Sequence, residues 1–278
     1  MRPSCARVTF RWAPPTSKPA TILFLFSTLQ AFITVGQGSW SARKRTLRII
    51  PVLDLKGGEV VRAQQGKRDR YRPIVTPLSQ TSDVIAVAEG LRRLYPFPTF
   101  YIADLDAIEG GTPNSGALAR LKAMAEPPEL WVDAGFADEN TLSAALAEPW
   151  LCPVLGSESQ QDDALLRRFC AHPELILSLD FFDDGFRGPA SFLDEPALWP
   201  QKLIVMTLAK VGSASGPDFT RLEAIKAKAG SRSVIAAGGV RNEADIRALS
   251  SLGIAAALVA TSLHDGTLTP GHLAALVT

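Results

Sequence analysis

The chain has few of the residues that build metal centres and disulfide frameworks. It contains three cysteines and three histidines among 278 residues. Cys5, Cys152 and Cys170 lie far apart, without the short spacing of a zinc site, and their odd number is atypical of a disulfide-stabilised secreted protein. The sequence has neither a P-loop nor a GxGxxG pattern. We therefore expect no metal, no cofactor and a cytoplasmic location.

The chain also lacks an excess of charge of either sign. Lys and Arg number 29 against 28 Asp and Glu, which gives a formal net charge of +1 at pH 7. This balance argues against nucleic acid as a partner, because general nucleic-acid binders carry a positive excess. Hydrophobic residues make up 46% of the chain, which permits a sizeable core.

Residues 1–46 differ in composition from the remainder. Basic residues flank an uncharged, mostly apolar stretch over 20–35, as in a signal peptide or a short membrane anchor. This stretch is somewhat short for a bilayer span, which needs about 20 residues. The alternatives are a start codon assigned too far upstream and a genuine appendage. We treat 1–46 as an N-terminal extension and 47–278 as the folded domain, and expect a membrane partner only if the extension is an anchor.

From residue 48 onward, strand-like runs alternate with amphipathic, helix-like runs. The predicted strands are 48–54, 99–104, 129–134, 152–156, 175–181, 202–208, 233–237 and 255–260. The predicted helices are 83–94, 115–125, 139–146, 162–170, 219–229 and 242–252. Eight alternating units predict an α/β fold of the (β/α)8, or TIM, barrel type. A doubly wound open sheet is the alternative, but its usual glycine signature is missing.

Two aspartates end predicted strands that occupy equivalent places in the two halves of such a barrel. Asp54 ends strand 1 and Asp180 ends strand 5. Either one alone is more simply explained as a residue that caps a turn. Because the C-terminal strand ends of a barrel share one mouth, the pair predicts a general base and a general acid that face each other.

Glycines and hydroxyl residues follow other strands. Gly238 and Gly239 follow strand 7, where main-chain N–H groups often approach a phosphate. We assign Thr261, Ser262, Gly156 and Ser157 to the same phosphate-binding role. The alternative for the strand 7 loop is a plain strand-to-helix turn in which Asn242 caps the helix.

The loop after strand 1 is rich in cations. Arg62, Lys67, Arg68, Arg70 and Arg72 fall within eleven positions of an otherwise neutral chain. A solvated surface loop would explain such a run. At the mouth of a barrel, however, it would attract a small anionic substrate and close over it.

These motifs together resemble the ProFAR isomerase family of histidine biosynthesis, which includes the cyclase subunit of imidazole glycerol phosphate synthase. The resemblance covers 48–278, and its residues are Ile50-Pro51-Val52-Leu53-Asp54-Leu55, Ala103-Asp104-Leu105-Asp106, Leu155-Gly156-Ser157, Ser178-Leu179-Asp180 and Ala237-Gly238-Gly239-Val240. It implies a barrel with two phosphate sites and a metal-free Amadori rearrangement of an aminoaldose to an aminoketose. Asp54 would remove the C2 proton, Asp180 would open the sugar ring, and Thr207 would contact the substrate.

Other positions depart from the family's pattern. The end of strand 3 reads Asp133-Ala134-Gly135, where the family has a glycine triplet followed by an arginine, and strand 8 has Ala260-Thr261 in place of Gly-Arg. A buried carboxylate beside a phosphate is unfavourable because it forces two anions together. We therefore expect a divergent branch in which the first phosphate site is lost and the second is altered.

Three alternatives remain open. Lys210 or Lys56, each near a strand end, could form a Schiff base in a lyase or aldolase. Similar chains in organisms with methanopterin-linked metabolism raise the possibility of a one-carbon enzyme. A barrel that binds a ligand without catalysis is the third alternative.

Overall fold

The computed structural model describes residues 47–213 and 215–277. The predicted extension at 1–46 lies outside the described residues. No helix in the described ranges is long and apolar enough to cross a membrane.

Eight parallel strands form a closed barrel. They are β1 (Arg48–Lys56), β2 (Thr99–Asp104), β3 (Glu129–Asp133), β4 (Leu151–Gly156), β5 (Ile176–Phe182), β6 (Lys202–Thr207), β7 (Ser233–Ala237) and β8 (Ala256–Val259). Each strand pairs with the next, and β8 pairs back with β1 through Ile49 and Ala257, so the sheet has no open edge at that point. This closure confirms the predicted (β/α)8 barrel and excludes the doubly wound sheet.

Helices follow the strands around the barrel. They are α1 (Val84–Leu94), α2 (Leu105–Ile108), α3 (Ser115–Lys122), α4 (Glu139–Leu146), α5 (Ala164–Phe169), α6 (Ser191–Asp194), α7 (Phe219–Ala229), α8 (Glu243–Ser251), α9 (Thr261–His264) and α10 (Pro270–Val277). The caps follow from local chemistry. The Asp83 carboxylate accepts two N–H groups at the start of α1, and the Asn242 side chain accepts the Asp245 N–H at the start of α8. The Asn242 cap predicted for the strand 7 loop is therefore present.

Strands β1 and β5 share a feature that the other barrel strands lack within the described chain. Each is followed by a short antiparallel strand, Glu59–Arg62 after β1 and Gly185–Arg187 after β5. Asp54 pairs with Val61 and Asp180 pairs with Arg187, in both cases the residue seven positions later. This shared register supports the equivalence of the two aspartates in the two half-barrels.

The strand alternation divides the core into two layers. Leu53 and Leu55 of β1 are fully buried in the layer between strands and helices, whereas Val52 and Asp54 line the barrel cavity. Inside the barrel, Tyr101 and other large side chains fill the space below the mouth. The packed interior thus restricts any ligand to the C-terminal end of the strands.

The contact between α1 and the loop before it provides a stability test. A Cβ at Gly90 would lie 2.2 Å from the Leu78 carbonyl oxygen, whereas a Cβ at Gly116 of α3 meets nothing within 4 Å. We expect Gly90→Ala to lower the free energy of unfolding by about 1–3 kcal/mol through overpacking. The control Gly116→Ala should leave it unchanged or raise it by up to about 1 kcal/mol. Urea denaturation measures both, and equal effects would contradict the packing argument.

Candidate active site

A cavity of about 270 Å³ opens at the C-terminal mouth of the barrel. Every barrel strand, or the loop that follows it, contributes to its wall. Asp54 and Asp180 both line this cavity, so the structure brings together the two carboxyl groups that the strand-end pattern paired. The other polar or glycine residues important here are Arg68, Tyr71, Tyr101, Asp133, Glu158, Lys210, Gly238, Gly239, Thr261 and Ser262.

The Asp54 carboxyl group accepts no hydrogen bond from the residues that the structure describes. It is half-buried at the cavity wall. Burial raises the pKa of Asp54 to about 7, against a lowering influence of the Arg68 guanidinium. A carboxylate in this state is free to accept a proton from a ligand near neutral pH.

Asp180 is held firmly by several donors. The Ser178 hydroxyl donates to Oδ1 at 2.6 Å, and the Glu158 N–H donates to Oδ2 at 3.0 Å. The Ser157 hydroxyl oxygen accepts the Asp180 N–H at 2.9 Å and lies 3.2 Å from Oδ2. Burial raises the pKa of Asp180 to about 6, and the hydrogen bond from Ser178 opposes that rise. These bonds fix one orientation of the carboxyl group toward the cavity.

Ser157 and Gly156 do not line the cavity, although the sequence assigned both to phosphate binding. The Ser157 side chain is fully buried and its oxygen lies 2.6 Å from the Arg187 carbonyl oxygen, to which it donates. Ser157 thus positions Asp180. Gly156 lies beside the two carboxyl groups, and a Cβ there would be 3.1 Å from Asp133 Oδ2 and 3.4 Å from Asp180 Oδ2.

Asp133 is the third carboxyl group of the cavity. Its Oδ1 accepts the Gly135 N–H at 3.1 Å, and its Oδ2 lies 3.4 Å from the Tyr101 hydroxyl. Burial, and then the nearby Asp180 charge, raise the pKa of Asp133 to about 7. The residue predicted to disturb a phosphate site therefore lines the cavity close to Asp180.

Sequence reasoning missed Tyr101 and Glu158. Burial and the surrounding carboxylates, Asp133 first, raise the pKa of Tyr101 well above its usual value, so its hydroxyl stays protonated. The period-two alternation of β2, with Tyr101 and Ala103 on the inner face, could have revealed it. Glu158 lies in the loop after β4 and had no comparable signal.

Only one cation of the basic loop lines the main cavity. The Arg68 guanidinium lies 2.5 Å from the Glu158 carboxylate, across the mouth, and the Gln65 N–H donates to the Val211 carbonyl at 2.9 Å. These contacts hold residues 63–72 across the opening of the cavity. The Arg62 side chain donates to the Val75 carbonyl, and the remaining cations of the loop are exposed outside the cavity, namely Lys67, Arg70 and Arg72.

Gly238 and Gly239 line the opposite rim and have a structural reason to be glycine. Their φ angles are +100° and +83°, and a Cβ would lie 2.4 Å from the Thr207 carbonyl oxygen and 2.3 Å from the Gly216 carbonyl oxygen. Thr261 and Ser262 lie on the same rim at the start of α9. The Ser262 hydroxyl donates to the Val240 carbonyl at 3.0 Å. A phosphate at this rim would therefore meet main-chain groups and Thr261.

The two candidate lysines and Thr207 have different placements. Lys210 is half-buried in the cavity wall, and its ammonium pairs with no residue of the described ranges. Lys56 binds Glu109 at 3.0 Å and does not line the cavity. Thr207 is buried but is not part of the cavity wall, which its neighbours Met206 and Leu208 form. The role that the resemblance implies for Thr207 therefore has no support in its placement.

A possible metal-ligand cluster lies at the other end of the barrel. One ligand atom each from Glu129, Cys152 and Glu174 lie within 4.8 Å of one another. Lys202 contacts Glu174 at 3.0 Å, and Arg48 lies 3.8 Å from Glu129, so cations of the chain already compensate both carboxylates. Burial also raises the pKa of Cys152, which disfavours the thiolate that binds metals.

The buried carboxyl groups predict a pH-dependent stability. Folding raises the pKa of Asp133 from 3.8 to about 7. The contribution of the protonated side chain to the free energy of unfolding is therefore fully present below about pH 4, and it is lost as the pH rises through 7. We expect Asp133→Asn to raise the free energy of unfolding at pH 8 by on the order of 1–3 kcal/mol, and by clearly less at pH 5. Asp183→Asn, at an exposed site, is the control in urea denaturation. A gain that is equal at the two pH values would contradict the assigned burial cost.

Comparisons with known proteins agree with this geometry. The family model described as "Histidine biosynthesis protein" matches residues 48–269. An uncharacterised protein of Methanocaldococcus jannaschii is 27% identical over 225 residues, which cover 80% of this chain and 95% of that protein. An Azorhizobium caulinodans protein named 1-(5-phosphoribosyl)-5-((5-phosphoribosylamino)methylideneamino) imidazole-4-carboxamide isomerase is 29% identical over 248 residues, 82% of this chain and 98% of that protein. Its namesake in Alkaliphilus metalliredigens is 24% identical over 240 residues, 81% and 97% of the two chains. The chain therefore belongs to the histidine biosynthesis protein family, the ProFAR isomerase-like barrels that its strand-end motifs resemble.

Proposed function

We propose that the protein catalyses an Amadori-type aldose–ketose isomerisation of a phosphorylated amino sugar, with Asp54 as the base and Asp180 as the acid. The observation that carries this proposal is the convergence of both carboxyl groups, from equivalent strand ends, on one cavity with a glycine rim. Relatives named as isomerases of a phosphoribosylamino compound add support.

The chemistry balances with these side chains alone. Asp180 donates a proton to the ring oxygen as the C1–O bond breaks, and the amino nitrogen forms a protonated imine at C1. Asp54 then removes the C2 proton to give an enolamine. Asp180, now a carboxylate, takes the hydroxyl proton at C2 while Asp54 returns a proton to C1, which completes the aminoketose and restores both side chains. No external oxidant or reductant is needed, because C1 is reduced as C2 is oxidised.

The two environments suit the two roles. Asp54 has no donor among the described residues to stabilise its charge, which makes its carboxylate a stronger base. Asp180 has its orientation fixed by Ser178 and the Glu158 N–H, which aims its proton at one place. The main-chain rim at Gly238 and Gly239, with Thr261, would hold the phosphate and place C1 and C2 between the acids.

The acid and base assignments predict the outcome of exchange measurements in heavy water. With N-substituted ribosylamine 5-phosphates as a substrate panel, NMR should detect deuterium at the reacting carbons during turnover by the wild type. Asp54→Asn and Asp180→Asn should each lower kcat/KM by about 10²–10⁴-fold. Since both groups titrate near neutrality, kcat/KM should peak between about pH 6 and pH 7.

Asp183→Asn is the matched control, because this exposed aspartate follows β5 but lies outside the cavity wall. It should turn over at the wild-type rate. Unchanged activity of Asp180→Asn on a substrate that the wild type converts would remove Asp180 from the mechanism. Failure of the wild type on every phosphorylated ribosylamine would contradict the isomerase proposal itself.

A second function is favoured by one observation. The Lys210 ammonium is half-buried in the cavity wall without a partner in the described chain, as a Schiff-base lysine would be. An aldolase or lyase of this kind should be trapped by borohydride in the presence of a carbonyl substrate. Mass spectrometry after proteolysis would then locate the adduct on Lys210, and Lys210→Arg should prevent it. For an isomerase that works through Asp54 and Asp180, we expect no adduct on Lys210.

A further inference from the structure

We infer that Asp133 is a specificity-determining residue, which makes the cavity accept a substrate with one phosphate at the Gly238–Gly239 rim and a cationic nitrogen at the opposite end. This inference rests on the proposed function, because it names the substrate class of that same site. It differs from the chemistry of the relatives named as isomerases, whose names describe a substrate with two phosphoribosyl groups.

The opposite end of the cavity has an excess of negative charge. Asp133, Glu158 and Asp180 all line it. Among the described residues, the cation that lines this end is Arg68. Its guanidinium forms an ion pair with the Glu158 carboxylate at 2.5 Å. Asp133 has no ion pair within the described ranges, and its partners, the Gly135 N–H and the Tyr101 hydroxyl, are neutral. A second phosphate at this end would face the Asp133 and Asp180 carboxyl groups, neither of which has an ion pair among the described residues.

The carboxylate oxygens also share one space. The point that a Cβ of Gly156 would occupy lies 3.1 Å and 3.6 Å from the two Asp133 oxygens and 3.4 Å from Asp180 Oδ2. The absence of a side chain at Gly156 thus leaves room between the two carboxyl groups. A protonated nitrogen near this space would donate a charge-assisted hydrogen bond to the Asp133 carboxylate, and a second to Asp180 once that side chain has lost its proton. The same charges would stabilise the protonated imine that forms when the sugar ring opens.

The other rim has the opposite character. Lys210 and Thr261 lie there beside the main chain of Gly238 and Gly239. Neither side chain has a partner in the described chain. The acid on this side, Asp265, has its Oδ1 bound by the hydroxyl and the N–H of Thr267, at 2.7 Å and 3.0 Å. An anion therefore binds more favourably here than beside Asp133.

The size of the cavity agrees with this division. A volume of about 270 Å³ lies just below the range for ligand pockets, roughly 300–1,000 Å³. Residues 63–72 cross the opening and are tied to the far side by the Arg68–Glu158 ion pair. One phosphate and a short carbon skeleton fit this space better than a compound with two phosphoribosyl groups.

Isothermal titration calorimetry with three sugar phosphates tests the inference directly. The probes are glucosamine 6-phosphate, glucose 6-phosphate and fructose 1,6-bisphosphate, at pH 7.5. We expect the wild type to bind the amine at least about tenfold more tightly than either of the other two. Asp133→Asn should lose this preference and keep its affinity for glucose 6-phosphate, because the amide removes the charge but preserves the shape.

Two further variants make the result specific. Asp183→Asn removes an exposed carboxylate outside the cavity and should keep the full preference. Gly156→Ala places a methyl group between the carboxyl groups, at a φ of −74° that alanine adopts readily. It should weaken the binding of glucosamine 6-phosphate and leave that of the other two probes unchanged. It provides an independent test should Asp133→Asn fail to fold.

The outcomes separate this inference from the proposed function. Equal binding of all three probes, unaffected by Asp133→Asn, would overturn the role of Asp133 and leave the isomerase proposal in place. Tightest binding of the bisphosphate would do the same. If neither the probes nor inorganic phosphate bind at millimolar concentration, the phosphate rim is wrong, and both proposals fall.

Discussion

The concentration of carboxyl groups in a small, poorly hydrated mouth is the constraint on which the site depends. Parallel strands in a closed barrel all end on the same side, so acids at the ends of β1, β3 and β5 must share that space. Burial there raises the pKa of Asp54 and Asp133 to about 7 and that of Asp180 to about 6. The two packed apolar layers of the barrel stabilise the fold against the free-energy cost of this burial. The result is a set of acids that exchange protons near neutral pH.

The fold was predictable from the sequence because each barrel strand is buried on both faces and therefore appears as an apolar run. All eight predicted strands lie within two residues of the observed ones. The convergence of Asp54 and Asp180 followed from the shared direction of the strand ends. The roles of Ser157 and Thr207 were not predictable, because residues in the same kind of position can face the cavity, a neighbouring carboxyl group or the helical layer. Only the register and the turn geometry decide among these.

Gly156 and Gly238 illustrate a second limit of sequence reasoning. Gly156 ends a strand, Gly238 follows one, and both match the family's glycine positions. Gly238 lines the cavity, whereas Gly156 does not line it and lies beside the Asp133 and Asp180 carboxyl groups. Position 238 requires glycine for a structural reason, because any Cβ there would clash with the Thr207 carbonyl oxygen. A glycine in a phosphate-site position is therefore compatible with a purely structural need. The distinction has to come from the surroundings, and Asp133 makes those of Gly156 anionic.

The two half-barrels show how one position acquires two chemical roles. Because Asp54 and Asp180 have the same register to their hairpin partners, Val52 corresponds to Ser178, and Thr261 corresponds to Ser157 through the pairing of β1 with β8 and of β5 with β4. Ser178 and Ser157 contact the Asp180 carboxyl group, whereas Val52 has no donor and Thr261 makes no bond to Asp54. Two neighbouring side chains on an otherwise repeated backbone therefore distinguish Asp54, which has no such donors, from Asp180, whose orientation is fixed by hydrogen bonds.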